Sequence, residues 1–439
     1  MNPILFAIYG LLKIIVRVVM KVFYPQTTFI NREDLDLKGP TLVLTNHPNT
    51  LMDALNAALW VNEPVYFLAN AGLFAGSFQR WFFETFYCIP IERPKDRGKT
   101  NVSNQRSFAR CTEHLAGGGH IYIAPEGTSF MERRLRDIKT GPARIALGAE
   151  ETHDFELDIH ILPIGLNYET PHQCGHSLVI HVGSPISPRD YRETYSADHW
   201  AAVKELTEEI ESRMKDLLIH TQDEQEDHLL RRLETLLRSS RPVDPVSHYL
   251  RTRSLLERLK KWRESSPKEY EDFSGQVEAY FSGLDYSKMD DRIIADGDAA
   301  FRRLALYILP VILGIPLFLY GWINNALPYH LPKWINERLD LYVGYAATVK
   351  AIAGLISFPF FYAIQTWLVA YFWNIDIALI YLASLPITAW LAWKMSLPYR
   401  HLWRVWHWRN AARRNRDRWE RMKSQRTDLW NKLTEINAR

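Results

Sequence analysis

The sequence predicts an α/β domain over roughly residues 35–190, and three observations carry that expectation. From residue 41 to 186, short apolar runs rich in β-branched residues alternate with longer runs of helical composition. Each apolar run stops at polar, Gly or Pro punctuation, where open α/β sheets build their sites. The rest of the chain breaks this rhythm: residues 191–300 are charged and helix-forming, and beyond residue 301 the apolar runs are too long for strands.

Taken in order, residues 1–34 open with a helical run, Pro3–Phe23, that is apolar apart from Lys13, Arg17 and Lys21. These recur every four residues and form one drifting basic stripe, which suits a helix lying in an anionic membrane surface. The run Thr41–Thr45 reads as a strand, Asn49 as a helix N-cap and residues 50–59 as a helix. Helical composition recurs over residues 74–84, 102–116 and 141–150. Further strands are read at Cys88-Ile89-Pro90-Ile91, at His120-Ile121-Tyr122-Ile123 and at residues 161–168.

The first strand delivers Asn46-His47-Pro48-Asn49-Thr50-Leu51-Met52-Asp53. Inside one helix, residues six apart lie about 240° around the axis, so His47 and Asp53 could not meet there. With His47 in the turn and Asp53 in the first helical turns, the carboxylate reaches back to one imidazole nitrogen. It then fixes the tautomer and leaves the other nitrogen as a general base. Alone, such a pair is more often only a satisfied loop histidine beside a helix-start carboxylate.

Three further segments add weight. Cys88-Ile89-Pro90-Ile91-Glu92-Arg93 ends on an arginine, His120-Ile121-Tyr122-Ile123-Ala124 runs into Pro125-Glu126-Gly127-Thr128, and Ile161-Leu162-Pro163-Ile164-Gly165-Leu166-Asn167-Tyr168 follows. In this order and spacing the four segments resemble the glycerophospholipid acyltransferase family, which includes lysophosphatidate and glycerol-3-phosphate acyltransferases. The resemblance implies a mixed sheet flanked by helices, His47 as general base and Asp53 as its orienting partner. It implies that Arg93 binds the acceptor's phosphate, that Glu126, Gly127 and Thr128 help to hold the acceptor, and that Pro163 is structural. Asn46, Asn49 and Lys139 are expected to support the site, Lys139 because Lys139-Thr140-Gly141 resembles the segment after the Pro-Glu-Gly-Thr turn in one subgroup. Five residues separate His47 from Asp53 where the commonest pattern has four, as in a subgroup that includes fungal glycerol-3-phosphate/dihydroxyacetone-phosphate acyltransferases. Asn70 stands where many relatives carry a lysine.

The chemistry fits these residue types. Attack of an alcohol on a thioester needs a base near the hydroxyl, a cation for a phosphate-bearing acceptor and hydrogen-bond donors for the oxyanion. Arginine stays charged and binds phosphate in a bidentate fork. No serine lies in a Gly-x-Ser-x-Gly setting, so direct transfer is favoured over a covalent acyl-enzyme. The co-substrate is then an acyl-CoA or acyl-carrier-protein thioester, with no resident cofactor. Carboxylate Glu126 also has a plain alternative role, satisfied by turn amides.

Composition bounds the rest. In 439 residues, 47% hydrophobic content with 15 Trp is high for a wholly soluble protein. Three scattered cysteines, Cys88, Cys111 and Cys174, point to neither a disulfide framework nor a zinc site, and His172-Gln173-Cys174-Gly175-His176 lacks further ligands. Residues 301–397 hold three uncharged apolar runs, at 304–323, 351–373 and 377–393. The tail from residue 394 carries thirteen Lys/Arg against four Asp/Glu, which puts it on the cytoplasmic side with the catalytic domain. That parity favours an integral membrane protein with two crossings, the third run being re-entrant or interfacial. Within residues 398–439, Trp403, Trp406, Trp408 and Trp419 among arginines suit a lipid headgroup interface better than nucleic acid. Three functions are weighed: acyl transfer, hydrolysis by the same His47–Asp53 pair, and an idle membrane scaffold. Arg93 favours transfer over hydrolysis, and retention of both His47 and Asp53 argues against the scaffold. Among acyl acceptors, another lysolipid is the alternative to glycerol-3-phosphate and its 1-acyl derivative.

Overall fold

The computed structural model describes residues 3–61, 63–92, 104–240, 243–287, 289–296, 298–414 and 416–438, so Arg93 lies outside the described residues. The chain forms two compact units. The first comprises Met1–Gln222, Pro245–Leu250 and Tyr342–Thr348; the second comprises Asp223–Asp244, Arg251–Leu341 and Val349–Arg439.

In the first unit the elements run α1 (Pro3–Phe23), β1 (Gln26–Ile30), β2 (Thr41–Thr45), α2 (Leu51–Trp60), β3 (Val65–Asn70), α3 (Ser77–Thr85), β4 (Cys88–Ile91), α4 (Asn104–Ala116), β5 (His120–Ile123), α5 (Gly141–Thr152), β6 (His160–Tyr168), β7 (Ser177–Val182), α6 (Arg192–Ala197) and α7 (His199–Asp216). The seven strands make one mixed sheet in the order β1-β7-β6-β2-β5-β3-β4. Only the β6–β7 pair is antiparallel, so β1 and β7 run against the other five. This is the mixed sheet flanked by helices that the family resemblance implied.

Strand β2 sits at the centre, and every residue from Thr41 to Thr45 is buried. A strand covered on both faces needs a near-continuous apolar run rather than alternation, which is what Leu42-Val43-Leu44 supplies. Leu42, Leu44, Ile121, Ile123 and Ile161 pack against Leu147 of α5 and Leu206 and Ile210 of α7. Each fully buried aliphatic side chain of this kind contributes about 1.5–3 kcal/mol. Because β2 pairs in parallel with both β5 and β6, their carboxyl ends lie side by side. The turn after β2 therefore meets the turn after β5.

The unit extends to Gln222, past the residue 190 read from composition. Helix α7 is charged on its outer face, but Val203, Leu206, Ile210 and Met214 are buried. That amphipathic helix belongs to the sheet's own core. Helix α1 has the expected bounds, and of its three basic residues Lys13 is turned inward. Lys13 donates through Nζ to the Val61 carbonyl, and burial lowers its pKa. Met20 and Phe23 are buried, while Ile4, Leu11, Ile14, Val18 and Val22 are exposed along with Arg17 and Lys21.

The second unit contains α8 (Glu224–Ser240), most of α9 (Pro245–Ser265), α10 (Pro267–Tyr286), α11 (Asp291–Asp296), α12 (Asp298–Leu339), most of α13 (Ala346–Phe372), α14 (Ile375–Arg414) and α15 (Arg416–Ala438). The buried Asp291 carboxylate of α11 accepts from Arg426 Nε of α15 at 2.9 Å and from the Tyr280 hydroxyl of α10 at 2.7 Å. Among the described residues two helical segments are long and apolar enough to cross a membrane, Val343–Phe372 and Ile375–Ser396. Only 11% and 22% of their apolar windows is buried, unlike the core helices of a soluble protein. The run at 377–393 lies in a continuous 40-residue helix. Polar side chains tie both segments to α12, with Tyr362 donating to Asn325 Oδ1 at 2.7 Å and Tyr381 to Asn324 Oδ1 at 2.6 Å.

Candidate active site

The site is built where β2, β5 and β6 end. Asn46, the first residue beyond β2, exchanges two hydrogen bonds with β6: its Nδ2 donates to the Leu166 carbonyl at 3.1 Å and its Oδ1 accepts from the Leu166 amide at 2.8 Å. The side chain thereby imitates one more rung of the β2–β6 ladder and lets the main chain leave the sheet. His47 follows at once, with its side chain 21% exposed. Its Nδ1 lies 3.1 Å from Asp53 Oδ2.

Asp53 is fully buried in the first turn of α2. Its Oδ2 also accepts from the Asn49 amide at 2.7 Å, and its Oδ1 accepts from the Tyr168 hydroxyl at 2.8 Å. Burial raises the Asp53 pKa, and the contacts from His47, Asn49 and Tyr168 oppose that rise. Three convergent donors suit a carboxylate, an acceptor-only group. With Nδ1–H donating to Asp53, Nε2 is the nitrogen left to accept a substrate proton.

Asn49 is not the helix cap expected of it. The helix begins at Leu51 after Thr50, and Asn49 is buried, donating through Nδ2 to the Tyr24 hydroxyl at 2.6 Å and to the Pro171 carbonyl at 2.9 Å. Tyr24 passes its own proton to the same carbonyl at 2.6 Å. An Asn ahead of a helical run is a fair N-cap signal, but partners from α1's end and the loop after β6 outbid the local bond.

Glu126 comes from the turn after β5. One carboxylate oxygen accepts the His47 amide at 2.8 Å and the other accepts the Arg136 amide at 3.1 Å. The Phe130 amide, from the same loop, donates to the His47 carbonyl at 3.2 Å. Glu126 therefore fastens the backbone of the histidine turn, the turn-amide role weighed from sequence. Gly127 next to it has φ +68°, a conformation that side chains rarely adopt. Thr128 is half-buried in this turn, and Lys139 is exposed, with its Cγ beside Gly127 and its amide donating to the Pro125 carbonyl at 2.8 Å. His47, Asp53, Asn46, Asn49, Glu126 and Gly127 are thus brought together.

Burial raises the pKa of Glu126, with the amides of Arg136 and His47 opposing. A carboxyl whose folded value lies above its unfolded value stabilises the fold below the unfolded pKa and loses that contribution as pH rises through the folded one. Glu126→Gln keeps one acceptor but turns an NH₂ toward the other amide, which costs about 1–3 kcal/mol. The expected result is a lower Tm whose deficit is largest near pH 4 and narrows toward pH 7. Thermal unfolding in detergent across that range checks it, and a deficit that widens with pH would reverse the assignment.

Sequence reasoning missed Tyr168 and Tyr24. Tyr168 closes the fourth segment, and burial holds its pKa well above the ordinary value, so it stays a donor to Asp53. Tyr24 gives no signal in the chain, since only the fold carries it to Asn49.

A parallel-strand end carrying a carboxylate-oriented histidine is an arrangement suited to general-base chemistry, whether transfer or hydrolysis. Residues 26–167, the greater part of this α/β domain, match the family model described as Acyltransferase. Similar curated proteins are glycerol-3-phosphate O-acyltransferase 1 of Saccharomyces cerevisiae, 33% identical over 119 residues, and an uncharacterized acyltransferase of Schizosaccharomyces pombe, 36% identical over 84. The matches cover 26% and 19% of this chain but only 16% and 12% of those proteins. Among solved structures, the 1-acyl-sn-glycerophosphate (LPA) acyltransferase PlsC of Thermotoga maritima is similar over 49% of this chain and 81% of its own, at 18% identity and TM-score 0.35.

Proposed function

We infer that this chain is a membrane-bound O-acyltransferase that moves a fatty acyl group from an acyl thioester to the hydroxyl of a glycerophosphate acceptor, glycerol-3-phosphate or its 1-acyl derivative. The observation that carries this reading is the 3.1 Å contact of His47 Nδ1 with buried Asp53, in a domain that matches the Acyltransferase family model. His47 Nε2 takes the acceptor's hydroxyl proton as the oxygen attacks the thioester carbonyl. The tetrahedral adduct then collapses, the C–S bond breaks, and the imidazolium returns its proton to the departing thiolate of CoA or acyl-carrier protein. Arg93 binds the acceptor's phosphate.

Two crossings, at Val343–Phe372 and Ile375–Ser396, support a topology in which the catalytic domain and the basic tail share the cytoplasmic side. They meet the parity condition with the second and third apolar runs.

The test is an assay of membranes containing the full chain, with acyl-CoA and acyl-carrier-protein donors and a panel of acceptors. The panel holds glycerol-3-phosphate, 1-acyl-glycerol-3-phosphate, other lysolipids and water alone. Transfer to none of them, or donor hydrolysis without transfer, would sink the reading. In the same assay Arg93→Ala is expected to raise acceptor KM about tenfold with kcat little changed, because the ion pair is made in ground and transition states alike. A rise in donor KM alone would reassign Arg93.

A further inference from the structure

The turn that delivers His47 is held from a remote part of the chain. Thr50, between His47 and Asp53, has φ 47° and ψ −123°. That backbone suits glycine, and a β-branched residue keeps it only where its surroundings over-determine it. The Thr50 amide donates to Ser129 Oγ at 3.2 Å. Its hydroxyl donates to the Gly344 carbonyl at 3.1 Å and lies 2.9 Å from Thr348 Oγ1, 298 residues along the chain. A hydroxyl has one proton, so with that of Thr50 given to Gly344, Thr348 is the donor of the second bond. Nearby, the Met131 amide donates to the Tyr342 hydroxyl at 2.6 Å. The fit is close: a Cβ added to Gly344 would lie 2.7 Å from the Tyr342 ring and 3.6 Å from Ser129 Oγ. Tyr342–Thr348 leads into helix α13, yet it belongs to the compact unit that contains the sheet.

We propose that Tyr342–Thr348 is a positioning segment of the acyl-transfer site. Through Gly344 and Thr348 it holds Thr50 in its left-handed geometry, and through Tyr342 it holds the loop after Glu126. The first of these turns carries His47, and the second holds its backbone through Glu126 and Phe130. None of the three residues touches reacting atoms in this arrangement: they act through the turn from His47 to Asp53. The proposal rests on the acyltransferase reading of that turn.

The experiment uses the full chain in membranes with Thr348→Val, Thr348→Ser and Tyr342→Phe. Valine keeps the shape of threonine and removes the donor, serine keeps the donor, and phenylalanine removes only an exposed hydroxyl. Thr348→Val is expected to lower kcat about threefold to tenfold, the size of one net hydrogen bond, with both KM values unchanged and Thr348→Ser restoring the rate. Tyr342→Phe is expected to lower kcat by a smaller factor in the same direction. Hydrogen exchange of the amides from Asn49 to Asp53 is expected to quicken severalfold in Thr348→Val and not in Thr348→Ser. Wild-type kcat in both Thr348→Val and Tyr342→Phe, or unchanged exchange at the turn, overturns the proposal. A wild-type chain that transfers no acyl group sinks the functional reading instead, and the exchange measurement still decides whether the segment holds the turn.

Discussion

His47→Ala is expected to lower kcat for acyl transfer by about 10²- to 10⁴-fold, the range a positioned general base contributes. The same variant is expected to fold and to associate with membranes as the wild type does. The side chain is 21% exposed and makes one hydrogen bond, to Asp53, so little packing is lost with it. The backbone at residue 47 stays fastened, because Glu126 still accepts its amide and Phe130 still donates to its carbonyl. Asp53 keeps the Asn49 amide and the Tyr168 hydroxyl. Initial rates with saturating donor and acceptor, beside an unfolding curve, separate the two claims. Retained activity would remove the mechanism, and collapse of the fold would show that His47 has a structural share the geometry does not give it.

The residues legible in the sequence were those whose partners lie close in the chain or whose chemistry is unusual. The strand β2 and the six-residue step from His47 to Asp53 could be read together, because a strand end followed by a helix start leaves one way for that pair to meet. The turn at Gly127 was legible for a similar reason: Pro and Gly fix backbone geometry locally. What stayed hidden depends on contacts across the fold. Asn49 read as a cap because capping is local, but its real partners, Tyr24 and Pro171, are brought to it by β1 and β6 lying in one sheet. Helix α7 read as part of a charged module because its exposed residues dominate composition, while its five buried ones close the core. The seating of Thr50 on Gly344 and Thr348 spans some 300 residues, beyond any pattern a single sequence displays.

Asp53→Asn is expected to lower kcat by about 10²-fold, less than the loss at His47, and the geometry says why. Asp53 Oδ2 serves both the His47 ring and the Asn49 amide, so an asparagine places its oxygen there and its NH₂ toward Tyr168. Tyr168 can turn its hydroxyl to accept, since it already accepts from Asn56 Nδ2 at 3.0 Å. The Nδ1-protonated tautomer therefore survives, and what disappears is the negative charge beside the imidazolium formed during attack. A charge-assisted hydrogen bond is worth about 1.5–3 kcal/mol, or roughly one to two powers of ten in rate. Stability moves the other way with pH. Burial raises the Asp53 pKa, so the wild type loses stability as pH climbs through that raised value, and the neutral amide does not. The Tm of Asp53→Asn should thus gain on the wild type between about pH 4 and pH 7. The double variant His47→Ala/Asp53→Asn decides whether the carboxylate acts through the ring. If it does, Asp53→Asn costs almost nothing more once His47 is gone, because both substitutions remove the same step. An undiminished further loss in that background would mean that Asp53 serves the reaction by a route other than His47.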